Sequence, residues 1–421
     1  MIETIQLSPG VTLRCCQETR FKQGALSIQL VTPMKSETAA PNALIPAVLL
    51  RGTAENKDLR AITERLDDLY GAAVSTMVRR VGDYQATGLY AGFIEDKYAL
   101  PGDEILGPMA EFLGELLLKP DLEEGRFRAD YVESEKKNLI STIEAERNDK
   151  RAYCASQMLK TMCRADSFGI SRLGEKENVA PITPAGLYEH YRALLREAAI
   201  EIFYVGSAPA ETVAGLMGQM LSGLDRAPVP LPPQTPFRMC PGGDETEELD
   251  IAQGKLSMGF TTPITNRDPR FAAMQVFNGI FGAGMTSKLF MNVREKLSLC
   301  YAIGSGYYGS KGIVTVSAGI DSNKKDVTRS QILHQLAECQ AGNITADELN
   351  AAKESVLSGL RSLHDSPGSI ENFYATAALS GLQLTPRAYM DAVSAVTAAD
   401  VAEAAKAVAL HTTYFLKGVT A

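Results

Sequence analysis

Histidine is the scarcest ionisable residue in this 421-residue chain, with four copies and none before His190. Imidazole is the commonest nitrogen ligand of catalytic zinc and the usual general base near neutral pH. The part of the chain that precedes His190 therefore cannot build a histidine-ligated metal site from its own residues.

Other absences narrow the possible functions. Lys and Arg total 42 against 50 Asp and Glu, so a net charge of -8 leaves no basic excess for a phosphate backbone. Apolar runs such as residues 43–50 are far shorter than a membrane helix of about 20 residues, and MIETIQLSPG has no signal-peptide pattern. The seven cysteines form no CxxC pair. We therefore predict a cytoplasmic protein with reduced thiols that binds neither nucleic acid nor membrane.

The sequence repeats itself across a proline-rich centre. GALSIQLVTP at 24–33 recurs as GKLSMGFTTP at 254–263, and each is an alternating, strand-like run closed by proline. Between the copies, APVPLPPQTP runs into CPGGDETEE, a composition typical of a stiff, extended linker. We therefore predict an N-terminal domain over 1–226, a linker over 227–248 and a C-terminal domain over 249–421.

Each repeat mixes helices and strands. LRAITERLDDLYG at 59–71 places apolar residues at helical spacing, and residues 122–163 predict two or three further helices. In the second repeat, helices over 271–281 and 286–297 precede strands near 300–303 and 313–318. The pattern predicts an α+β fold of two homologous domains, each a mainly antiparallel sheet with helices on one face.

Two segments resemble the insulinase/pitrilysin zinc peptidases, in their mitochondrial-processing-peptidase-like branch. NGIFGAGMTSKLFMNVREKLSLCY at 278–301 is similar to the signature of that family's second domain. ALIPAVLLRGT at 43–53 resembles the first-domain segment that carries the inverted zinc motif HxxEH. EKKNLISTIEAERNDK, from Glu135, resembles the helix with the third ligand, and LGEKENVAPITPAGLYEHY, from Leu173, resembles the stretch after it. The resemblance spans nearly the whole chain.

The zinc motif itself is replaced in this register. The two histidines fall on Ala43 and Ala47, the water-activating glutamate falls on Pro46, and the distal glutamate falls on or near Thr142. Catalytic zinc needs three protein ligands with lone pairs, which methyl groups and a pyrrolidine ring do not supply. The resemblance thus implies a chain with a degenerate zinc motif that holds no metal or other cofactor.

Arg294 and Tyr301 are the candidate catalytic residues that remain. From the pattern alone, Arg294 belongs to a solvated helix face and Tyr301 to the start of a strand. The resemblance favours another role, because an Arg and a Tyr at this spacing in the family's second domain reach the zinc site of the first domain or of a partner subunit. Guanidinium and phenol groups donate hydrogen bonds that can hold a substrate carbonyl and stabilise its oxyanion.

Two functions from different classes are compatible with this pattern. In the first, the chain is a catalytically incomplete subunit of a heterodimeric metallopeptidase that processes small or unfolded peptides. A homologous HxxEH-containing partner supplies zinc and the general base, and this chain supplies Arg294 and Tyr301. The alternative is a non-enzymatic peptide-binding or structural assembly subunit, which does not require those side chains. An independent peptidase with another mechanism has no supporting constellation of residues.

Overall fold

The computed structural model of the chain describes residues 2–419 and divides into two compact units. The boundary between Pro233 and Gln234 falls inside the predicted linker 227–248. Unit 1 consists of the chain up to Glu144, Ile170–Pro233 and Leu363–Thr376, and unit 2 of Ala145–Gly169, Gln234–Ser362 and the chain from Ala377. Each unit thus includes one segment from the other half of the sequence, and in these two segments the division differs from the predicted domains 1–226 and 249–421.

Helices and strands follow one another in a similar order in the two halves of the chain. The first half contains the strands β1 (Ile2–Ser8), β2 (Val11–Gln17), β3 (Gln23–Pro33), β4 (Ala73–Val81), β5 (Tyr84–Ile94), β6 (Leu122–Glu123), β7 (Arg126–Phe127) and β8 (Ala199–Gly206). Its helices are α1 (Ser36–Leu49), α2 (Leu59–Asp68), α3 (Leu106–Leu118), α4 (Ala129–Glu146), α5 (Lys150–Met162), α6 (Lys176–Val179), α7 (Pro184–Glu197) and α8 (Ala210–Leu221).

The second half contains the strands β9 (Asp244–Leu249), β10 (Gly254–Thr261), β11 (Cys300–Tyr308), β12 (Ile313–Ile320) and β13 (Ala409–Gly418). Its helices are α9 (Phe271–Asn278), α10 (Lys325–Gln340), α11 (Ala346–Ser362), α12 (Pro367–Ser380), α13 (Pro386–Ala395) and α14 (Ala398–Lys406). Two π-helical stretches, Gly279–Ala283 and Leu289–Lys296, follow α9. None of the helices within residues 2–419 is long and apolar enough to cross a membrane.

The two main sheets share one strand order. Unit 1 has the order β1-β2-β8-β3-β5-β4, and unit 2 has β9-β13-β10-β12-β11. The pairs β2-β8 and β9-β13 are parallel, and the other neighbours are antiparallel. The repeated segments 24–33 and 254–263 form the equivalent strands β3 and β10. The α+β fold class with two homologous, mainly antiparallel sheets is confirmed.

The sheet of unit 1 is covered on both faces because β3 carries different side chains on each. Leu26 and Ile28 are fully buried in the core that the sheet forms with the helices of the repeat, where each contributes about 1.5–3 kcal/mol. Ser27 and Gln29 alternate with them and therefore point to the opposite face. There they bond Glu371 of α12, at 2.7 and 3.1 Å. Most helices thus lie on one face, as predicted, and α12 covers the other.

In unit 2 the equivalent face of the sheet is covered by α5. Met158 and Met162 of α5 are fully buried beside β10 and β13. Gly259 of β10 makes room for them, since a Cβ atom at this position would lie 2.6 Å from the sulfur of Met158 and 2.5 Å from that of Met162. This apolar packing explains why residues 145–169 belong to unit 2 although they lie within the predicted domain 1–226.

The second part of the predicted linker is fixed to unit 2. Lys311 Nζ and Asp166 Oδ1 form a buried ion pair at 2.9 Å. The Lys311 ammonium also donates to the carbonyl of Thr235 at 3.0 Å, and its own carbonyl accepts from the N–H of Phe237. The N–H of Arg238 donates to Asp166 Oδ2 at 2.8 Å. From Gln234 onward, the linker is therefore an ordered part of the unit.

Candidate functional site

Arg294 and Tyr301 meet across a tight turn in unit 2. Arg294 lies near the end of the π-helical stretch Leu289–Lys296, and Tyr301 is the second residue of β11. Between them Ser298 has a φ of 49°, a left-handed conformation that reverses the chain within a few residues. Arg294 Nε donates a 3.0 Å hydrogen bond to the Tyr301 carbonyl. The structure thus brings the two predicted residues together.

The guanidinium of Arg294 is held from several sides yet remains partly open to solvent. It lies 4.5 Å from the centre of the Phe290 ring, a cation–π contact, and Nη1 pairs with Glu295 at 2.9 Å. The side chain keeps 35% of its accessible surface. A second group could therefore approach the guanidinium without displacing these contacts.

The phenol of Tyr301 is 58% exposed and donates to Asp321 Oδ1 at 2.9 Å. This hydrogen bond and the negative charge of Asp321 raise the pKa of Tyr301 above its usual value. Asp321 also pairs with Lys324 at 2.9 Å, and hydrogen bonds from Lys324 and Tyr301 lower the pKa of the Asp321 carboxyl. The phenol therefore faces Asp321, whereas the Arg294 guanidinium contacts the backbone of Tyr301.

The positions that correspond to the zinc motif lie in unit 1 and bear no ligand atoms. Ala43, Pro46 and Ala47 belong to α1, with Ala43 and Pro46 buried in the core. Thr142 lies on α4, where its hydroxyl donates to the carbonyl of Asn138 at 2.9 Å. Within residues 2–419, no three side chains of His, Cys, Asp or Glu are grouped closely enough to hold a metal ion.

A polar cluster beside Ala43 was not predicted from the sequence. Asn42 is buried and donates to Thr32 Oγ1 at 3.1 Å and Gln85 Oε1 at 2.9 Å, while its Oδ1 lies 2.7 Å from Nε2 of His190. Burial lowers the pKa of His190, which favours the neutral imidazole that donates to Asn42. In the sequence, the only indication of this cluster is the single polar residue Asn42 within the apolar segment 39–50. Because its polar atoms are paired within unit 1, the cluster has a structural role.

A cavity of about 490 Å³ lies along β11, the strand that carries Tyr301 near its start. The sequence GAGM at 282–285 ends one π-helical stretch and borders this cavity before the next stretch begins. The cavity was not predicted from the sequence, since its walls come from three separate parts of the chain.

The chain is similar in sequence and fold to several known proteins. Residues 181–356 match the family model described as peptidase M16 inactive domain. The chain is 28% identical to the probable inactive metalloprotease YmfF of Bacillus subtilis (strain 168), over 97% of this chain and 96% of that protein. It superposes with a TM-score of 0.92 on the crystal structure of a conserved protein from Enterococcus faecalis V583, at 27% identity and covering 100% of this chain and 99% of that one.

A more distant structure shows the same fold. The peptidase M16 inactive domain from Pseudomonas fluorescens superposes with a TM-score of 0.81 at 18% identity, covering 100% of this chain and 99% of that one. Fold and site together define a metalloprotease-like protein with two repeated units. The chain is thus similar to the M16 peptidases, and the resemblance to the insulinase/pitrilysin family predicted from residues 43–53 and 278–301 is confirmed.

Proposed function

We propose that this chain works in the cytoplasm as the catalytically incomplete subunit of a heterodimeric metallopeptidase that processes small or unfolded peptides. A homologous partner with an intact HxxEH motif holds the zinc and the general base. This chain contributes Arg294 and Tyr301. The main support is the contrast between Ala43, Pro46 and Ala47 in unit 1 and two donors in unit 2, the exposed Tyr301 phenol and the partly exposed Arg294 guanidinium, whose residues share a hydrogen bond.

The two donors have the chemistry that peptide hydrolysis requires. Attack of water on a peptide carbonyl places negative charge on the carbonyl oxygen, and preorganised donors stabilise that charge. The exposed part of the Arg294 guanidinium supplies a permanent positive charge. The Tyr301 phenol, whose pKa Asp321 raises, can transfer its hydrogen bond from that carboxylate to the substrate oxygen.

The test is reconstitution with the HxxEH-bearing protein encoded nearest to this chain. Alone, neither subunit should cleave a fluorogenic peptide efficiently, and the mixture should. Arg294→Ala or Tyr301→Phe should each lower turnover by about 10²–10³, the effect of removing one oxyanion donor. Lys296→Ala, which removes an exposed cation from the same π-helical stretch, is the matched control and should leave turnover unchanged.

Complex formation, followed by size-exclusion chromatography, separates catalysis from assembly. Both variants should form the complex as the unaltered chain does. Full turnover in both variants would remove their catalytic role, and loss of the complex would make the residues structural.

One observation favours the alternative, a non-enzymatic peptide-binding or assembly subunit. Tyr301 already donates to Asp321, and Arg294 already bonds Glu295 and the Tyr301 carbonyl, so both side chains have partners without a second protein. The relative from Bacillus subtilis is also named a probable inactive metalloprotease. Under this function, the mixed proteins would associate, and Arg294→Ala would change neither binding nor turnover.

A further inference from the structure

Strand β11 has one unpaired edge. It lies at the end of its sheet, where β12 pairs with one side from Cys300 to Tyr308, and no strand within residues 2–419 pairs with the other side. An exposed strand edge presents a row of backbone N–H and C=O groups that an extended peptide can pair with. Because Tyr301 lies near the start of this strand, a peptide bound here would run past the predicted catalytic pair.

The cavity of about 490 Å³ follows this edge. Ser305 of β11 donates to Asn278 on one face of the sheet at 2.7 Å, so its neighbours Gly304 and Gly306 belong to the opposite face. Both glycines border the cavity, but a Cβ atom at Gly306 would lie 3.3 Å from Thr315 Oγ1, whereas one at Gly304 would make only ordinary contacts. A bound peptide could therefore place a side chain of its own over Gly304.

Arg151, near the start of α5, is the charged residue of the cavity lining, which includes no carboxylate. A Cβ atom at Gly304 would lie 3.7 Å from its Nη2, so the guanidinium reaches the strand. The guanidinium of Arg151 makes no hydrogen bond or ion pair with any residue of the range 2–419, whereas the guanidinium of Arg294 pairs with Glu295. An unpaired guanidinium beside bare backbone is suited to a carboxylate, which it can bind through two parallel hydrogen bonds.

We infer that the free edge of β11 binds an extended peptide whose acidic side chain lies over Gly304 and pairs with Arg151. The backbone of the peptide supplies most of the affinity, and the carboxylate supplies the sequence preference. This inference rests on the proposed function for one point, that the bound peptide is also the substrate, and it assigns that substrate an Asp or Glu.

Selection from a random library of nine-residue peptides, the length of β11, tests this preference in the full chain alone. The unaltered chain should enrich Asp or Glu at one position. Arg151→Ala should lose that enrichment, and Arg151→Glu should replace it with Lys or Arg. Lys150→Ala removes a partly exposed cation from the adjacent position and should keep the acidic preference.

One selected peptide is then compared with two altered forms by fluorescence anisotropy. Replacing its acidic residue by the matching amide should weaken binding to the unaltered chain about tenfold. The same replacement should not change the affinity of the Arg151→Ala variant. Methylating alternate backbone nitrogens of the peptide should abolish binding if pairing with the edge carries the affinity. Failure to select any peptide, a preference that survives Arg151→Ala, or tolerance of methylation would each overturn the inference.

These binding measurements need neither the partner nor zinc. If the chain prefers acidic peptides through Arg151 but the reconstituted pair shows no activity, the proposed function is refuted and the binding site is kept. If activity depends on Arg294 and Tyr301 but the chain shows no acidic preference, the binding site is refuted and the proposed function is kept.

Discussion

Arg294 Nε and the carbonyl oxygen of Tyr301 lie 3.0 Å apart, which fixes the guanidinium beside the start of β11. The contact uses the backbone of Tyr301, so it does not depend on the phenol. Tyr301→Phe therefore removes one donor and leaves Arg294 in place, whereas Arg294→Ala removes a donor together with the contact that closes the turn at Ser298. The two variants thus separate the chemistry of the phenol from the positioning of the turn.

Asp321→Asn should lower the pKa of Tyr301 toward its ordinary value. The Asp321 carboxylate accepts a hydrogen bond from the phenol and carries a negative charge, and both effects disfavour the phenolate. The measurement is an ultraviolet titration of phenolate absorbance, in which Tyr301→Phe identifies the contribution of this residue. An unchanged Tyr301 transition in Asp321→Asn would show that the carboxylate does not control the phenol.

The purified chain should hold no stoichiometric zinc, because Ala43, Pro46 and Ala47 offer no ligand atoms and the His190 imidazole is paired with Asn42. Elemental analysis after dialysis measures the metal content. If the unaltered chain held one zinc per chain and the His190→Ala variant held none, the polar cluster of unit 1 would be a metal site.

The repeat and the altered zinc motif could be predicted from the sequence, because both depend on residues that are neighbours along the chain. The segments at 24–33 and 254–263 predict equivalent strands, and β3 and β10 confirm this. The hairpin of β1 and β2 was missed although its turn contains Gly10, whose φ of 69° suits glycine.

Features that depend on distant contacts could not be predicted in this way. The helix spacing of residues 150–162 predicts that α5 forms, but its methionines pack where Gly259 leaves room, far away in sequence. The cavity beside β11 likewise needs α5, the turn at 282–285 and the strand edge to come together. Periodicity shows which face of an element is apolar, and only the folded chain shows what covers it.

His190 should make the protein less stable as the pH falls below about 6.5. Burial lowers the pKa of His190 in the folded state, so the unfolded chain takes up this proton first. The stabilisation is complete above the unfolded pKa and is lost as the pH falls through that window toward the folded pKa. Urea midpoints of the unaltered chain should therefore drop more between about pH 8 and about pH 5.5 than those of His190→Gln. Parallel curves for the two proteins would contradict this assignment.

Asp166→Asn should be among the most destabilising single changes in unit 2. Lys311 and Asp166 are buried, and an uncompensated buried charge costs about 3–5 kcal/mol. Asparagine has a single oxygen, whereas the N–H groups of Phe168 and Arg238 bond different oxygens of Asp166, so the variant loses the ion pair with Lys311 and one of these hydrogen bonds. Lys311→Met should cost less, since these two N–H groups still bond the remaining carboxylate.

The double variant Asp166→Asn/Lys311→Met should regain part of the stability that Asp166→Asn loses, because the ammonium that faced the lost carboxylate is removed as well, while one backbone hydrogen bond stays lost. Urea unfolding measures the free energy of unfolding of the four proteins in this cycle. The control is Glu64→Gln, which breaks the exposed pair with Arg60 and should cost at most about 1 kcal/mol.

Because Lys311 and Asp166 also hold Thr235 and Arg238, Asp166→Asn should expose the linker to early proteolysis between residues 234 and 241. A double variant as unstable as Asp166→Asn would show that the buried Lys311 ammonium is not the source of the instability.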